Sequence, residues 1–286
     1  MVRPKKFLGQ HFLRDENIAR KIAVSLTAGV PLVLEIGPGT GALTKYLADM
    51  QPALDPWFME IDRESAAYLR ETMPEIAGRI IEADFLQYNL DTFPPATARQ
   101  AEGDGALPHF SVIGNFPYNI SSQILFRVLE NRHRVTEVVG MFQKEVAERI
   151  AAPPGSKTYG ILSVLLQAFY SIEYLFTVSE HVFVPPPKVK SAVIRLRRND
   201  TARLACDEEL FFRLVKAAFN QRRKTLRNAL RGILEEKGAL TGSPHPDRVL
   251  PPRQGHPTLM EYLDLRAERL SPDDFVRLAA EISTFA

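Results

Sequence analysis

Cysteine is almost absent from this chain of 286 residues: Cys206 stands alone. One cysteine excludes a disulfide within the chain and any zinc site built on cysteine pairs. Long apolar runs are missing too. The most apolar stretches, such as Ile161 to Tyr170, are broken by polar residues and are too short to cross a bilayer. The opening Met1-Val2-Arg3-Pro4-Lys5-Lys6 turns polar again at Gly9-Gln10-His11, with no apolar segment of signal-peptide length. A cytoplasmic location without membrane contact is therefore expected. Nor does one sign of charge dominate, since the net charge is only +2 and names no partner. What is present is 45% hydrophobic and 24% charged residues, the balance of an ordinary folded protein long enough for one large domain and a smaller one.

Short apolar runs come first, at Leu32 to Ile36, Trp57 to Ile61, Ile80 to Asp84, Phe110 to Gly114 and Glu137 to Phe142. Helix-like stretches separate them, for example Thr40 to Met50 and Ser121 to Arg132. Buried strands spaced by helices predict an α/β domain with a mostly parallel sheet. Tyr174 to Val178 and Ser191 to Leu196 have no clear helix between them and suit an antiparallel hairpin at one sheet edge. The small, polar stretch from Thr97 to Pro108 reads as a surface loop. After about Asn199 the pattern changes to helical spacing. Asp207 is placed to cap a helix whose apolar face is Leu210, Phe211, Leu214, Val215 and Ala218. Leu226, Leu230 and Ile233 suggest a second helix, and Phe275 to Ile282 a third. The expected division is a catalytic-type α/β domain over 1–199 and a small all-α domain over 200–286.

Glu35-Ile36-Gly37-Pro38-Gly39-Thr40-Gly41 sits where the first strand meets a helix. Glycines there let a backbone approach a ligand at the carboxyl edge of the sheet. Ala42 falls where the dinucleotide fingerprint needs its third glycine, which weighs against a nicotinamide cofactor. Alone, the motif is equally a tight turn without a ligand. Glu60 closes the second strand, where a carboxylate can accept from both hydroxyls of a ribose, and Asp84 closes the third, where it can accept from an adenine amine. Each alone is as well a helix cap or a surface acid. Three such features at successive strand ends resemble the S-adenosylmethionine-dependent methyltransferase fold.

Asn115-Phe116-Pro117-Tyr118 closes the fourth strand on the same edge. An adenine amine is a poor nucleophile because its lone pair is delocalised into the ring. Acceptors aimed at its hydrogens favour the pyramidal form that can attack a sulfonium methyl. The Asn115 oxygen and a rigid carbonyl at Phe116 are such acceptors, and Pro117 fixes φ and holds its predecessor extended. Tyr118 offers a stacking ring worth roughly 1–3 kcal/mol, provided the base is unstacked or extruded. Read alone, these four residues are no more than a turn. After a complete cofactor constellation they read as a methylation site that needs no metal.

The sequence as a whole resembles the ribosomal RNA adenine N6,N6-dimethyltransferases of the small subunit. Lys6 to Leu13 is similar to the Gly-Gln-Asn-Phe-Leu box that closes over the methionine part of the cofactor. Gln143 to Arg149, Val182 to Val193 and Phe219 to Asn228 match three further blocks, the last as a signature helix. The resemblance implies cofactor contacts at Gln10, His11, Leu13, Gly37, Gly39, Glu60, Asp84 and Asn115. It implies target-base contacts at Asn115, Phe116, Pro117 and Tyr118, with Phe183 on the other face of the adenine. His11 stands where the family has asparagine, which leaves a backbone contact as the implied one. Phe116 stands where leucine or isoleucine is commoner, which matters little if the position acts through its carbonyl.

The resemblance also implies that two neighbouring adenines in a hairpin near the RNA 3′ end are each methylated twice, in an assembling small subunit; a monomer is expected. From Lys188 to Gly232 there are thirteen Lys or Arg against four Asp or Glu, which suits a polyanion or merely a solvated face. Arg222, Arg223, Lys224 and Arg227 are the expected RNA contacts, with Arg223, Arg227 and Arg231 aligned at helical spacing. The rivals are the related large-subunit methyltransferases of antibiotic resistance, a ribosome-assembly factor, and a small-molecule or DNA methyltransferase.

Overall fold

The computed structural model describes residues 2–27, 29–95, 107–240 and 258–285. They form two compact units, Met1–Glu148 with Ser171–Asn199, and Arg149–Tyr170 with Asp200–Ala286. Most of the expected loop from Thr97 to Pro108 lies outside the described residues.

The first unit alternates strand and helix: β1 (Phe12–Leu13), α1 (Glu16–Ala23), β2 (Leu32–Ile36), α2 (Thr44–Asp49), β3 (Asp55–Glu60), α3 (Arg63–Thr72), β4 (Ile80–Glu82), β5 (Phe110–Asn115), α4 (Ser121–Glu130), β6 (Val135–Gln143) and α5 (Lys144–Ile150). After the second unit's first segment come β7 (Tyr170–Val178), β8 (Phe183–Val184) and β9 (Ser191–Arg198). Among the described residues one seven-stranded sheet runs in the order β4-β3-β2-β5-β6-β9-β7. β2 is parallel to both β3 and β5, and all five of its residues are buried, as expected of a strand covered on both faces. β9 enters antiparallel to β6, Gly140 opposite Ile194, and β7 lies beyond it at the edge, so the expected hairpin is found. Val33, Leu47, Phe58, Leu69, Ile113 and Val139 share one apolar core, each such side chain contributing about 1.5–3 kcal/mol by burial.

Parallel pairing sets the strand ends level. Glu35 pairs with Phe58 and Ile113, and Glu60 with Glu82, so the turns after β2, β3, β4 and β5 open on one edge. A separate two-stranded ribbon pairs Phe12 with Val184 and Leu13 with Phe183.

The second unit holds α6 (Ile161–Gln167), α7 (Glu208–Asn220), α8 (Leu226–Ala229), α9 (Arg231–Glu236), α10 (Leu259–Asp264) and α11 (Pro272–Ile282). Asp207 caps α7 by accepting from Leu210 N at 3.2 Å, and all five expected apolar positions of that helix are buried. Two features differ from the sequence expectations. Arg149–Tyr170 joins this unit, because the buried Leu162, Val164, Leu165 and Leu166 of α6 pack on α7 and α11. The expected continuous helix through Gln221 to Asn228 is also broken. Thr225 is extended and bridges to Arg266, and Leu226 N donates to Leu265 O at 2.8 Å, so backbone pairing replaces helical hydrogen bonds.

Candidate active site

A cavity of about 280 Å³ opens at the carboxyl edge of the first unit. Its walls come from the N-terminal segment and from the turns after β2, β3, β4 and β5.

At one end, Gly37 and Gly39 hold φ of 68° and 59°, a region that side chains disfavour. A Cβ on Gly39 would also lie 3.1 Å from the Phe12 ring, so a side chain there would force that ring to shift. Glu60 is buried. Its carboxylate accepts from Gly39 N at 2.9 Å and Asp62 N at 2.8 Å, which ties the β2 turn to the end of β3. Burial raises its pKa against those two hydrogen bonds. Glu35, whose role sequence reasoning left unassigned although it heads the glycine motif, also lines the cavity and is fully buried. Burial pushes its carboxyl up to about 8, with Thr44 Oγ1, donating at 2.8 Å, pulling the other way. Asp84 reaches the same wall and accepts from Leu86 N at 2.9 Å. Gln10 Oε1 accepts from Lys5 N at 2.8 Å, and the Lys5 ammonium pairs with Asp62, so the N-terminal segment is fastened beside Glu60.

At the other end, Asn115 Nδ2 donates to His11 O at 2.9 Å, which leaves Oδ1 as the acceptor of that amide. Phe116 N donates to Met141 O at 3.2 Å, continuing the β5–β6 pairing through the motif. Its ring is buried edge-on to Phe142, with centroids 5.2 Å apart. A Cβ on Gly114 or Gly140 would come within 2.7 Å or 2.5 Å of that ring, so these two glycines make the room for phenylalanine. The Tyr118 hydroxyl lies 2.5 Å from Ser191 Oγ, and its ring stacks on His11 at 5.5 Å and 27°. Burial raises the phenol pKa. His11 Nδ1 lies 2.8 Å from Pro185 O.

Thus Gln10, His11, Leu13, Gly37, Gly39, Glu60, Asp84, Asn115, Phe116, Pro117 and Tyr118 meet at one cavity. Phe183 does not. Its register opposite Leu13 turns the ring into the core, where it is 2% exposed and absent from the cavity wall. The four basic candidates differ in what they contact. Arg222 is spent on Glu268 and Ser156 O, each at 3.3 Å, and Arg227 on Asp264 at 3.1 Å, while Arg223 and Lys224 stand exposed in the turn after α7. Among the described residues no helix is long and apolar enough to cross a membrane.

A sheet of this order with a glycine turn and acids at successive strand ends defines the S-adenosylmethionine-dependent methyltransferase class. The cavity suits that cofactor: open glycine turns meet carboxylates able to take hydroxyl, amine and sulfonium groups. The fold matches the crystal structure of a dimethyladenosine transferase from Plasmodium falciparum (TM-score 0.69, 24% identity, 94% of this chain and 96% of that one). It also matches the 23S rRNA methyltransferase ErmE (TM-score 0.63, 25% identity, 95% and 99%). Ribosomal RNA small subunit methyltransferase A of Bacteroides thetaiotaomicron is 50% identical, covering 99% of this chain and 95% of the relative; that of Cytophaga hutchinsonii is 49% identical, covering 99% and 98%. The family model described as ribosomal RNA adenine dimethylase matches residues 1–249. The chain belongs to the ribosomal RNA adenine dimethylase family, and it is an S-adenosylmethionine-dependent enzyme that dimethylates adenine in ribosomal RNA.

Proposed function

We propose that the substrate is small-subunit ribosomal RNA and that two adjacent adenines in a hairpin near its 3′ end are each methylated twice, in an assembling subunit, by a monomer acting in the cytoplasm. The small-subunit relatives near 50% identity support this over the large-subunit alternative, whose neighbour stands at 25%. When bound, S-adenosylmethionine supplies an electrophilic methyl on a cationic sulfonium. Glu60 takes the ribose hydroxyls and Asp84 the cofactor's adenine end. Gly37 and Gly39 admit its close approach, and Gln10, His11 and Leu13 wall the methionine end. Tyr118 stacks the extruded target base. Asn115 Oδ1 and the Phe116 carbonyl accept from the amine and steer its lone pair, while Pro117 holds that carbonyl still. Positioning is the main contribution to rate.

The observation that carries this reading is the Asn115 Nδ2 to His11 O bond, which commits the other end of the amide to accepting. Exposed Arg223 and Lys224, which form no ion pair among the described residues, support RNA contact at phosphates. The test is mass spectrometry of ribosomal RNA after reaction of unmethylated subunits with labelled cofactor. Two adjacent dimethyladenosines in small-subunit RNA are expected; label confined to large-subunit RNA would overturn the proposal.

A further inference from the structure

The segment from Pro185 to Ser191 is fastened at both ends to the two rings beside Asn115. Pro185 O lies 2.8 Å from His11 Nδ1, and Ser191 Oγ lies 2.5 Å from the Tyr118 hydroxyl. His11 and Tyr118 stack on each other, so the segment is a strut tied to both members of one ring pair. Three consecutive prolines stiffen its first half. Near its far end Lys190 O accepts from Lys144 N at 2.9 Å, and Ser191 is in register opposite Gln143 on β6. Between these anchors Lys188, Val189 and Lys190 are exposed.

Two ammonium groups on a stiff strut are unlike the arginines of the second unit. Arg222 and Arg227 are spent on Glu268 and Asp264, whereas neither Lys188 nor Lys190 forms an ion pair among the described residues. The acid that feels Lys190 is Glu180, held low first by its own backbone amide and further by the charges of His181 and Lys190. The chemistry of the pocket supplies the complementary ligand. A base that reaches Tyr118 must leave its stack, and it brings the two phosphates of its own nucleotide to the pocket mouth. Phosphate contacts there fix register without reading sequence.

We propose that Lys188 and Lys190 bind the RNA phosphates that flank the target adenine. This rests on the reading of Asn115 to Tyr118 as the site of the target base. It moves part of the RNA contact from the helical unit to the rim of the chemistry itself.

The test is the double variant Lys188→Gln/Lys190→Gln of the full chain, assayed on unmethylated small subunits. At about 0.15 M salt the KM for RNA is expected to rise about tenfold, roughly 1.4 kcal/mol. At saturating RNA, kcat changes far less than KM. The slope of log KM against log salt should become shallower by about 1.4 to 1.8, the release expected for two phosphates. The affinity for S-adenosylmethionine alone stays at the wild-type value, and Lys188→Arg/Lys190→Arg restores the KM. A double glutamine variant with wild-type KM and salt slope overturns the proposal. So does a rise in KM that arginine fails to rescue, which marks the strut as merely structural. If Asn115→Ala leaves methyl transfer undiminished, the underlying reading of the target-base site fails instead, and that result tells the two failures apart.

Discussion

The carboxyl edge of the sheet and the Gln221 to Asn228 stretch carry the chain's two most conspicuous motifs, and they are organised in opposite ways. At the sheet edge, residues as far apart as His11, Gly37, Glu60, Asp84 and Asn115 are gathered into one cavity by strand register. In the basic stretch, neighbours in sequence are scattered. Arg222 turns to Glu268, Arg227 to Asp264, and Arg223 and Lys224 stay in solvent. Register in a sheet buried on both faces is set by close packing, because a slip of one residue would exchange the side chains that each face packs against its helices. A run of arginines has no such constraint and follows whichever carboxylates its neighbours offer.

The largest expected break of this contrast is at the edge. Asn115→Ala should lower kcat by about 10²–10³, the loss typical of one acceptor or donor aimed at a developing charge. Binding of S-adenosylmethionine and of subunits should change much less. Single-turnover kinetics beside equilibrium binding checks this, and a kcat within twofold of wild type would remove Asn115 from the chemistry.

A smaller effect is expected behind the same motif. Gly140→Ala places a methyl 2.5 Å from the Phe116 and Phe142 rings, overpacking that should cost about 1–3 kcal/mol of stability. Adding Phe116→Leu should restore much of the loss, as read by thermal unfolding. A single variant that melts with the wild type would show that Phe116 is not wedged there.

The smallest effects separate the arginines. Arg222→Gln should lower stability by under about 1 kcal/mol, as for a partly exposed ion pair, with little change in RNA affinity. Arg223→Gln should leave melting unaltered and weaken RNA binding about twofold to threefold. The reverse pattern, seen in melting and binding curves, would return Arg222 to the RNA face.

Much of the first unit was legible because its signals are local. Leu32 to Ile36 is apolar and wholly buried, and the five apolar positions after Asp207 face the core as their spacing predicts. What escaped depends on partners that no local pattern names. Helical spacing at Arg223, Arg227 and Arg231 is real in the sequence, but Thr225 pairs with Arg266 and the helix ends. The family resemblance puts Phe183 on the base, yet its place opposite Leu13 is set by a ribbon whose other strand lies near the chain's start. Ile161 to Gln167 carried no sign of which unit would bury it. The fit of Phe116 depends on Gly140, which sits on a different strand.

The place of β9 between β6 and β7 also fixes an order of assembly. Although β7 is synthesised first, among the described residues β9 is its sole neighbour in the sheet, so it is not paired until β9 has been made. Likewise β1, near the first end of the chain, waits for β8. The β1–β8 closure spans most of the first unit's chain, the kind of contact that slows folding because entropy is lost before the contacts form, whereas β7 and β9 are near neighbours in sequence. On the ribosome, the N-terminal wall of the cavity is therefore completed only after β8 has been translated, and the edge strand only after β9.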